Sequence, residues 1–138
     1  MTTPAYRHVL DASVLLAIAF EEPGHAEARS AATASVISAV NWSEVLQKAA
    51  QKSVDPAAAG ALFLRFNVRV LDFTREDAAR AASLWPATRS LGLSLGDRAC
   101  LALAQRLGRP AVTMEDRWTN ALSGVEVKVI SRGRGESQ

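Results

Sequence analysis

Carboxylates stand at strand ends or early in helices in four separate parts of the sequence. They are Asp11, Glu44, Asp97 and the pair Glu115 and Asp116. Oxygen ligands of this kind suit a hard divalent cation, and Mg²⁺ in particular binds carboxylates together with waters and works in phosphate chemistry. The sequence therefore predicts a hard-cation site, provided that the fold brings these segments to one place.

Each of these acids also has a purely structural interpretation. Asp11 could cap a helix, and Glu44 lies one helical turn before Lys48, the spacing of a surface ion pair. Asp97 begins a helix, where the helix dipole favours an acid, and Gly96 before it permits a close approach of another segment. The last acidic pair precedes Arg117 and could form an ordinary turn. It is the set of four segments, and no single residue, that favours a metal site.

Other catalytic chemistries find little support in the sequence. His8 lies in a predicted strand and His25 in a predicted loop, so neither builds a triad with a serine or cysteine. Cys100 is the only cysteine, which excludes a disulfide framework and a cysteine-based zinc site.

The composition is that of one globular domain. The chain has 138 residues, 49% hydrophobic and 22% charged, so we expect a single domain over 1–138 with loose termini at 1–6 and 131–138. The longest apolar run, Val14–Phe20, is far shorter than the ~20 residues of a membrane span. No secretory signal is visible, and a cytoplasmic protein is the simplest expectation.

The formal charge of +2 is too small to indicate nucleic-acid binding by itself. Thirteen of the sixteen basic residues are arginines, however, and the planar guanidinium matches phosphate geometry. A GC-rich coding bias explains the same preference equally well.

Short strand-like runs alternate with helical ones along the whole sequence. The predicted strands are Arg7–Asp11, Ser35–Ile37, Val68–Phe73, Ala111–Met114 and Val125–Ile130. The predicted helices are Val14–Phe20 capped by Ser13, His25–Ala32, Ala39–Lys52, Pro56–Phe66, Thr74 to about Trp85, and Asp97–Leu107 closed by Gly108. This order predicts an α/β sandwich with a mostly parallel sheet, whose ligands bind beyond the carboxyl ends of the strands.

Four segments together resemble the PIN-domain ribonucleases, in particular the VapC toxins of bacterial type II toxin–antitoxin pairs. They are Val9–Ser13, Ser38–Val45, Leu93–Ala104 and Val112–Trp118. They occur in the family's order and at its approximate spacing. The resemblance implies a PIN-like three-layer sandwich with a central sheet of four to five strands flanked by helices.

The resemblance also assigns the acids. Asp11, Glu44 and Asp97 match the family's three main acidic positions, with Asp11 and Asp97 as metal ligands. The family's Thr-x-Asp-Arg-x-Trp pattern appears here with one extra residue, so Glu115 or Asp116 can be the fourth acid; we select Asp116 because it keeps the Asp-Arg pair. Ser94, Thr113 and Glu115 would then support the site.

The activity that the resemblance implies is that of an endoribonuclease dependent on Mg²⁺ or Mn²⁺. Its cation would activate a water against an RNA phosphodiester, while arginines such as Arg98 or Arg117 face the backbone. The implied partners are an RNA substrate, a second copy of the chain and a VapB-like antitoxin.

Three competing interpretations make different demands on the sequence. A phospho-receiver domain needs paired acids after the first strand and a late Lys-Pro, but Asp11 is single and Lys128 precedes valine. A haloacid-dehalogenase-type phosphatase needs an acid where Ser13 stands. A catalytically inactive PIN-like binding module stays open as the alternative.

Overall fold

The computed structural model describes residues 5–118 and 124–133. Five parallel strands form one sheet in the order β3-β2-β1-β4-β5. They are β1 (Val9–Leu10), β2 (Val36–Ser38), β3 (Arg69–Leu71), β4 (Ala111–Thr113) and β5 (Val127–Val129). The chain leaves β1 toward β2 and β3 on one side and later adds β4 and β5 on the other. The strand order therefore reverses next to β1, where open α/β sheets form their ligand crevice.

Helices and a short 3₁₀ turn connect the strands. They are α1 (Ala12–Ala19), α2 (His25–Ala32), α3 (Ala39–Gln51), α4 (Pro56–Leu64), α5 (Arg75–Ser83), α6 (Trp85–Thr88), the turn Arg89–Leu91, and α7 (Leu95–Leu107). Within the described ranges, no helix is long and apolar enough to cross a membrane.

The three central strands are buried on both faces. Their side chains alternate between two cores: Val9, Val36 and Ala111 pack with α7, whereas Leu10, Ile37 and Val112 pack with α1, α2, α3 and α4. All six side chains are at most 1% exposed. The alternation follows from the two-residue period of a strand. It makes the fold a three-layer α/β sandwich, as the family resemblance implies.

Local sequence signals fix several helix ends as expected. Asp55 accepts a hydrogen bond from the Ala57 N–H at 3.2 Å and is followed by a proline in the first turn of α4. Thr74 forms a reciprocal capping box with Asp77 at the start of α5. Gly108 ends α7 in the left-handed conformation, with φ of 64°.

Other helix boundaries differ from the prediction for identifiable reasons. The prediction that Ser13 caps α1 is wrong, because Asp11 is the N-cap residue and the Ser13 hydroxyl donates to its carboxylate. α5 ends at Ser83, and Pro86 soon after it has no N–H with which to continue the helical hydrogen bonds. α7 begins at Leu95, two residues before the predicted start, because Ser94 caps it.

The chain termini were predicted to be loose. Residues 1–4 and 134–138 lie outside the described residues. Of the described part of the C-terminal segment, Arg132 donates from Nη1 to Glu22 Oε1 at 3.1 Å. This exposed ion pair ties the segment to the loop before α2.

The core position of α7 can be tested with Leu101, which is fully buried in the core that α7 forms with the sheet. Leu101→Asp would bury a charge that has no partner, which costs several kcal/mol. We expect no cooperative unfolding transition for this variant by circular dichroism. Leu64→Asp is the matched control, since Leu64 is 74% exposed and its replacement should leave the transition in place. A folded Leu101→Asp variant would contradict the described core.

One partly buried ion pair links α5 to α7. Arg106 donates from Nε to Asp77 Oδ1 at 2.8 Å and from Nη2 to Oδ2 at 3.2 Å. Burial raises the pKa of the Asp77 carboxyl, but the hydrogen bonds from Arg106 and Thr74 outweigh burial, so the pKa lies below its ordinary value of 3.8. The ionised carboxylate therefore stabilises the fold above pH 4, and this contribution is lost as the pH falls through the folded pKa.

Asp77→Asn should preserve the bond from the Thr74 N–H while removing the ion pair. We expect a loss of about 2 kcal/mol in the free energy of unfolding at pH 7, shrinking toward zero as the pH is lowered below 4. Urea unfolding at a series of pH values measures this difference. The exposed Asp72→Asn serves as the control with no expected change, and a difference that stayed constant with pH would argue against the ion pair.

Candidate functional site

Asp11, Glu44 and Asp97 are brought close together by three different elements. Asp11 directly follows β1, Glu44 lies in the second turn of α3 after β2, and Asp97 lies in the first turn of α7. The charges of Asp97 and Glu44 both raise the pKa of Asp11. The three acids therefore form one electrostatically coupled cluster beside the central strand, which we call the acid cluster.

Two hydroxyls hold the carboxylate of Asp11. Its Oδ2 accepts hydrogen bonds from Ser13 Oγ at 2.7 Å and from Thr113 Oγ1 at 3.0 Å. The same two hydroxyl oxygens accept the backbone N–H groups of Met114 and Glu115, each at 3.0 Å. The N–H groups thus orient both hydroxyls as donors to the carboxylate, and the loop after β4 is locked to the start of α1.

Asp11 is a buried acid to which the described residues offer no cationic partner. It is 4% exposed, and no Lys or Arg of the described chain forms an ion pair with it. Burial is the largest cause of its raised pKa of about 6; the charges of Asp97 and Glu44 add to it, while the bonds from Ser13 and Thr113 oppose it. At neutral pH the ionised carboxylate therefore carries an unfavourable electrostatic free energy, which a bound cation would reduce.

Glu44 is held by an amide. Its Oε1 accepts from Asn41 Nδ2 at 3.0 Å, and the same Nδ2 donates to the backbone oxygen of Gly96 at 2.9 Å. Burial raises the pKa of Glu44, the Asn41 bond opposes this, and the charge of Asp97 adds to it. Lys48 lowers the pKa slightly, but the surface ion pair that the spacing allows is not among the pairs formed by the described residues.

Asp97 takes part in a capping box as well as in the acid cluster. Its Oδ2 accepts the Ser94 N–H at 2.8 Å, and its own N–H donates to Ser94 Oγ at 3.1 Å. Arg117 Nη2 approaches the same Oδ2 at 3.3 Å. The Ser94 hydroxyl thus caps α7, and Arg117 partly balances the charge of Asp97.

The hydrogen bonds from the described residues fix each of the three carboxylates through one oxygen. Among the described residues, no hydrogen bond reaches Asp11 Oδ1, Glu44 Oε2 or Asp97 Oδ1. A carboxylate oxygen with unused lone pairs is the donor that a hard cation or its bound water requires.

The donor set fits a hydrated cation better than a fully protein-ligated one. No three His, Cys, Asp or Glu side chains in the described ranges are spaced to hold one metal ion among them. Mg²⁺ keeps several waters and uses only one or two carboxylates. A site with two direct carboxylate ligands and several waters would be compatible with both facts.

The fourth acid is less closely tied to the cluster. Glu115 borders a cleft that Ser13 and Lys48 also line, while Asp116 is exposed and borders a cleft with Arg132. Within the described residues, neither side chain forms a hydrogen bond or ion pair with the three clustered acids. The assignment of Asp116 as the fourth acid stays a prediction.

The two arginines expected to face RNA have different positions. Arg98 is half-buried and donates from Nη1 to the Ala81 oxygen at 2.8 Å, joining α7 to α5, so its guanidinium is engaged inside the fold. Arg117 is exposed and spans from Asp97 to the Gly92 oxygen at 3.2 Å. Of these two arginines, Arg117 is the one that lies at the acid cluster.

Sequence reasoning left Asn41 without a role and gave Ser13 the wrong one. The spacing of three residues between Asn41 and Glu44 was the available signal, since residues three apart share a helix face. The two-residue spacing of Asp11 and Ser13 carries no comparable signal, because the Ser13 hydroxyl is oriented by Met114 from the far end of the chain.

The fold agrees with what known proteins show. The sequence model of the PIN domain matches residues 8–121, and the chain belongs to the PIN domain family. A comparison with curated proteins found no match.

Solved structures of toxin–antitoxin proteins share the fold. The chain is similar to one in DNA-bound VapBC from Salmonella typhimurium, with 19% identity and a TM-score of 0.67 over 92% of this chain and 100% of that one. A chain of VapBC2 from Rickettsia felis, bound to a DNA fragment from its promoter, is 16% identical and gives a TM-score of 0.64 over 90% of this chain and 98% of that one. VapC20 of Mycobacterium tuberculosis, a Sarcin-Ricin loop cleaving toxin, is 19% identical and gives a TM-score of 0.62 over 75% of this chain and 85% of that one.

The free-energy cost of the buried Asp11 charge can be measured as a change in protein stability. Asp11→Asn keeps an acceptor for Ser13 and Thr113 but removes the buried charge. In metal-free buffer at pH 7 we expect the free energy of unfolding to rise by about 1–3 kcal/mol, because the pKa of the wild-type carboxyl is raised. Chemical denaturation measures the change, with Asp72→Asn as the exposed control. A destabilised Asp11→Asn variant would show that the ionised carboxylate supports the fold.

Proposed function

We propose that this chain is a divalent-metal-dependent endoribonuclease and the toxin component of a VapBC-type toxin–antitoxin pair. The observation that carries the proposal is the acid cluster. It contains a buried Asp11 with no cationic partner among the described residues, and each of its three carboxylates is anchored through one oxygen while the other is unused. Membership of the PIN domain family supports the same activity.

Asp11 and Asp97 are the proposed metal ligands, and Mg²⁺ is the proposed ion, with Mn²⁺ as a substitute. Such an ion, when bound, neutralises charge on a scissile phosphate and lowers the pKa of a bound water. The hydroxyls of Ser13 and Thr113 keep the Asp11 carboxylate in place, and the Ser94 N–H does the same for Asp97.

Glu44 has a separate proposed role. With Oε1 held by Asn41, its Oε2 is available to accept the proton that an attacking water loses. Burial raises the pKa of Glu44, which brings its basicity closer to that needed of a general base. Asp116, supported by Glu115, is proposed as a fourth acid that completes the site when RNA is bound.

The substrate and partners follow from the same proposal. VapC20 is a Sarcin-Ricin loop cleaving toxin, which supports RNA as the substrate class here. The VapBC complexes support a VapB-like antitoxin as partner. A homodimer and a cytoplasmic location complete the proposal. Of Arg98 and Arg117, Arg117 is the one placed to meet an RNA phosphate, since it is exposed beside Asp97.

The proposal predicts opposite effects of one substitution on stability and on activity. Wild type should cleave RNA in Mg²⁺, and Asp11→Asn should lose at least 100-fold in rate although it folds more stably. Mg²⁺ at 100 times its Kd should stabilise wild type by about 2.7 kcal/mol and Asp11→Asn far less. Gel-based cleavage of a structured RNA and thermal unfolding with and without Mg²⁺ measure the two effects.

Two controls make the result interpretable. Asp72→Asn should cleave and respond to Mg²⁺ like wild type, and a chelator should abolish cleavage by both. Full activity of Asp11→Asn, or wild-type cleavage that persists in the chelator, would refute the proposed mechanism. Absence of cleavage by wild type in both Mg²⁺ and Mn²⁺ would favour the inactive binding module.

A further inference from the structure

Gly96 is packed directly against the carboxylate of Glu44. A Cβ added to Gly96 would lie 2.6 Å from Glu44 Oε1 and 2.9 Å from both Cδ and Oε2. Carbon and oxygen atoms do not approach this closely without displacement. The carboxylate of α3 therefore occupies the space that a side chain at position 96 would fill.

The backbone does not require glycine at this position. Gly96 lies in the first turn of α7 with an ordinary helical conformation, unlike Gly92, whose φ is 70°. Alanine is the better helix former at a helical position. Glycine at position 96 therefore serves to leave space for the Glu44 carboxylate and is not required by the local backbone geometry.

Asn41 completes the arrangement from the other side. It is fully buried, and its Nδ2 donates both to Glu44 Oε1 and to the Gly96 oxygen. Its Oδ1 has no partner in the described part of the chain. The amide therefore serves as a donor that joins α3, the Glu44 carboxylate and the start of α7.

We propose that Gly96 and Asn41 are positioning residues for Glu44: the glycine leaves room for its carboxylate, and the amide holds Oε1 so that Oε2 stays unused. This inference rests on the proposed function, because it assigns a catalytic task to the group that is positioned. It assigns no catalytic contact to Gly96 or Asn41 themselves.

The test is Gly96→Ala, with Gly60→Ala as the matched control. An added Cβ at Gly60, which lies in α4, meets no atom within 4 Å. Because the atoms displaced by the new methyl group are the end of a flexible side chain, Gly96→Ala should fold, with a melting temperature within a few degrees of wild type. We expect kcat for RNA cleavage to fall at least 10-fold with KM within twofold, and Gly60→Ala to match wild type.

A shorter acid provides a rescue experiment. Glu44→Asp withdraws the carboxylate from position 96 and will itself lower kcat. In that background Gly96→Ala should lower kcat by less than twofold, since the contact that it disturbs is already gone. An equal loss in both backgrounds would show that the added methyl group acts through something other than Glu44.

A second readout does not depend on activity. The side-chain amide resonance of Asn41 in a ¹⁵N–¹H spectrum reports its two hydrogen bonds, so it should shift in Gly96→Ala and in Glu44→Ala but not in Gly60→Ala. An unmoved resonance, or wild-type kcat for Gly96→Ala, overturns the inference. If wild type cuts no RNA with either metal, the proposed function fails, whereas the shifted resonance still supports the packing of Glu44 on Gly96.

Discussion

The buried charge of Asp11 is the constraint on which the rest of the site depends. A carboxylate that is 4% exposed and has no ion-pair partner in the described chain is costly to ionise. The hydrogen bonds from Ser13 and Thr113 reduce this cost without cancelling it. The fold therefore maintains a carboxylate that its own described residues do not neutralise, and a bound cation is the simplest group that would.

The sheet topology explains why the acids meet at this strand. β1 is central, with β2 and β4 as its neighbours, so the segments that follow all three strands converge at one edge. The segment after β2 carries Glu44, and the end of β4 carries Thr113. α7 packs on the opposite face from α1, and its first turn brings Asp97 to the same edge from the other layer. The sheet layer thus contributes Asp11, directly after β1, and Thr113, the helical layer that contains α3 contributes Glu44, and the layer that contains α7 contributes Asp97.

The sequence predicts those features that depend on local patterns. The run Arg7–Asp11 predicts the first strand, and the Asp55-Pro56 and Thr74-x-x-Asp77 patterns predict their helix starts. The Ser94-x-x-Asp97 pattern has the same form as the Thr74 box, and it could have been used to start α7 correctly. The role of Ser13 could not be predicted, because Met114 and Thr113, about 100 residues away, decide it. The contact of Glu44 with Gly96 likewise joins two distant segments.

Asp97 shows that a structural and a functional role need not compete for one side chain. Its capping bond and its contact with Arg117 both use Oδ2, which leaves Oδ1 unused by the described residues. The capping box therefore fixes the carboxylate within the first turn of α7 while leaving a free ligand atom. The same division holds at Asp11, where both hydroxyls bind Oδ2, and at Glu44, where the amide binds Oε1.

A loss of stability on replacing Asp97 would thus be expected in either role, and it cannot by itself distinguish a cap from a metal ligand. Asp11 can distinguish them, because its side chain forms no capping hydrogen bond. In the absence of metal the net effect of its charge is to oppose folding, since burial and the two neighbouring acids outweigh the hydrogen bonds from Ser13 and Thr113.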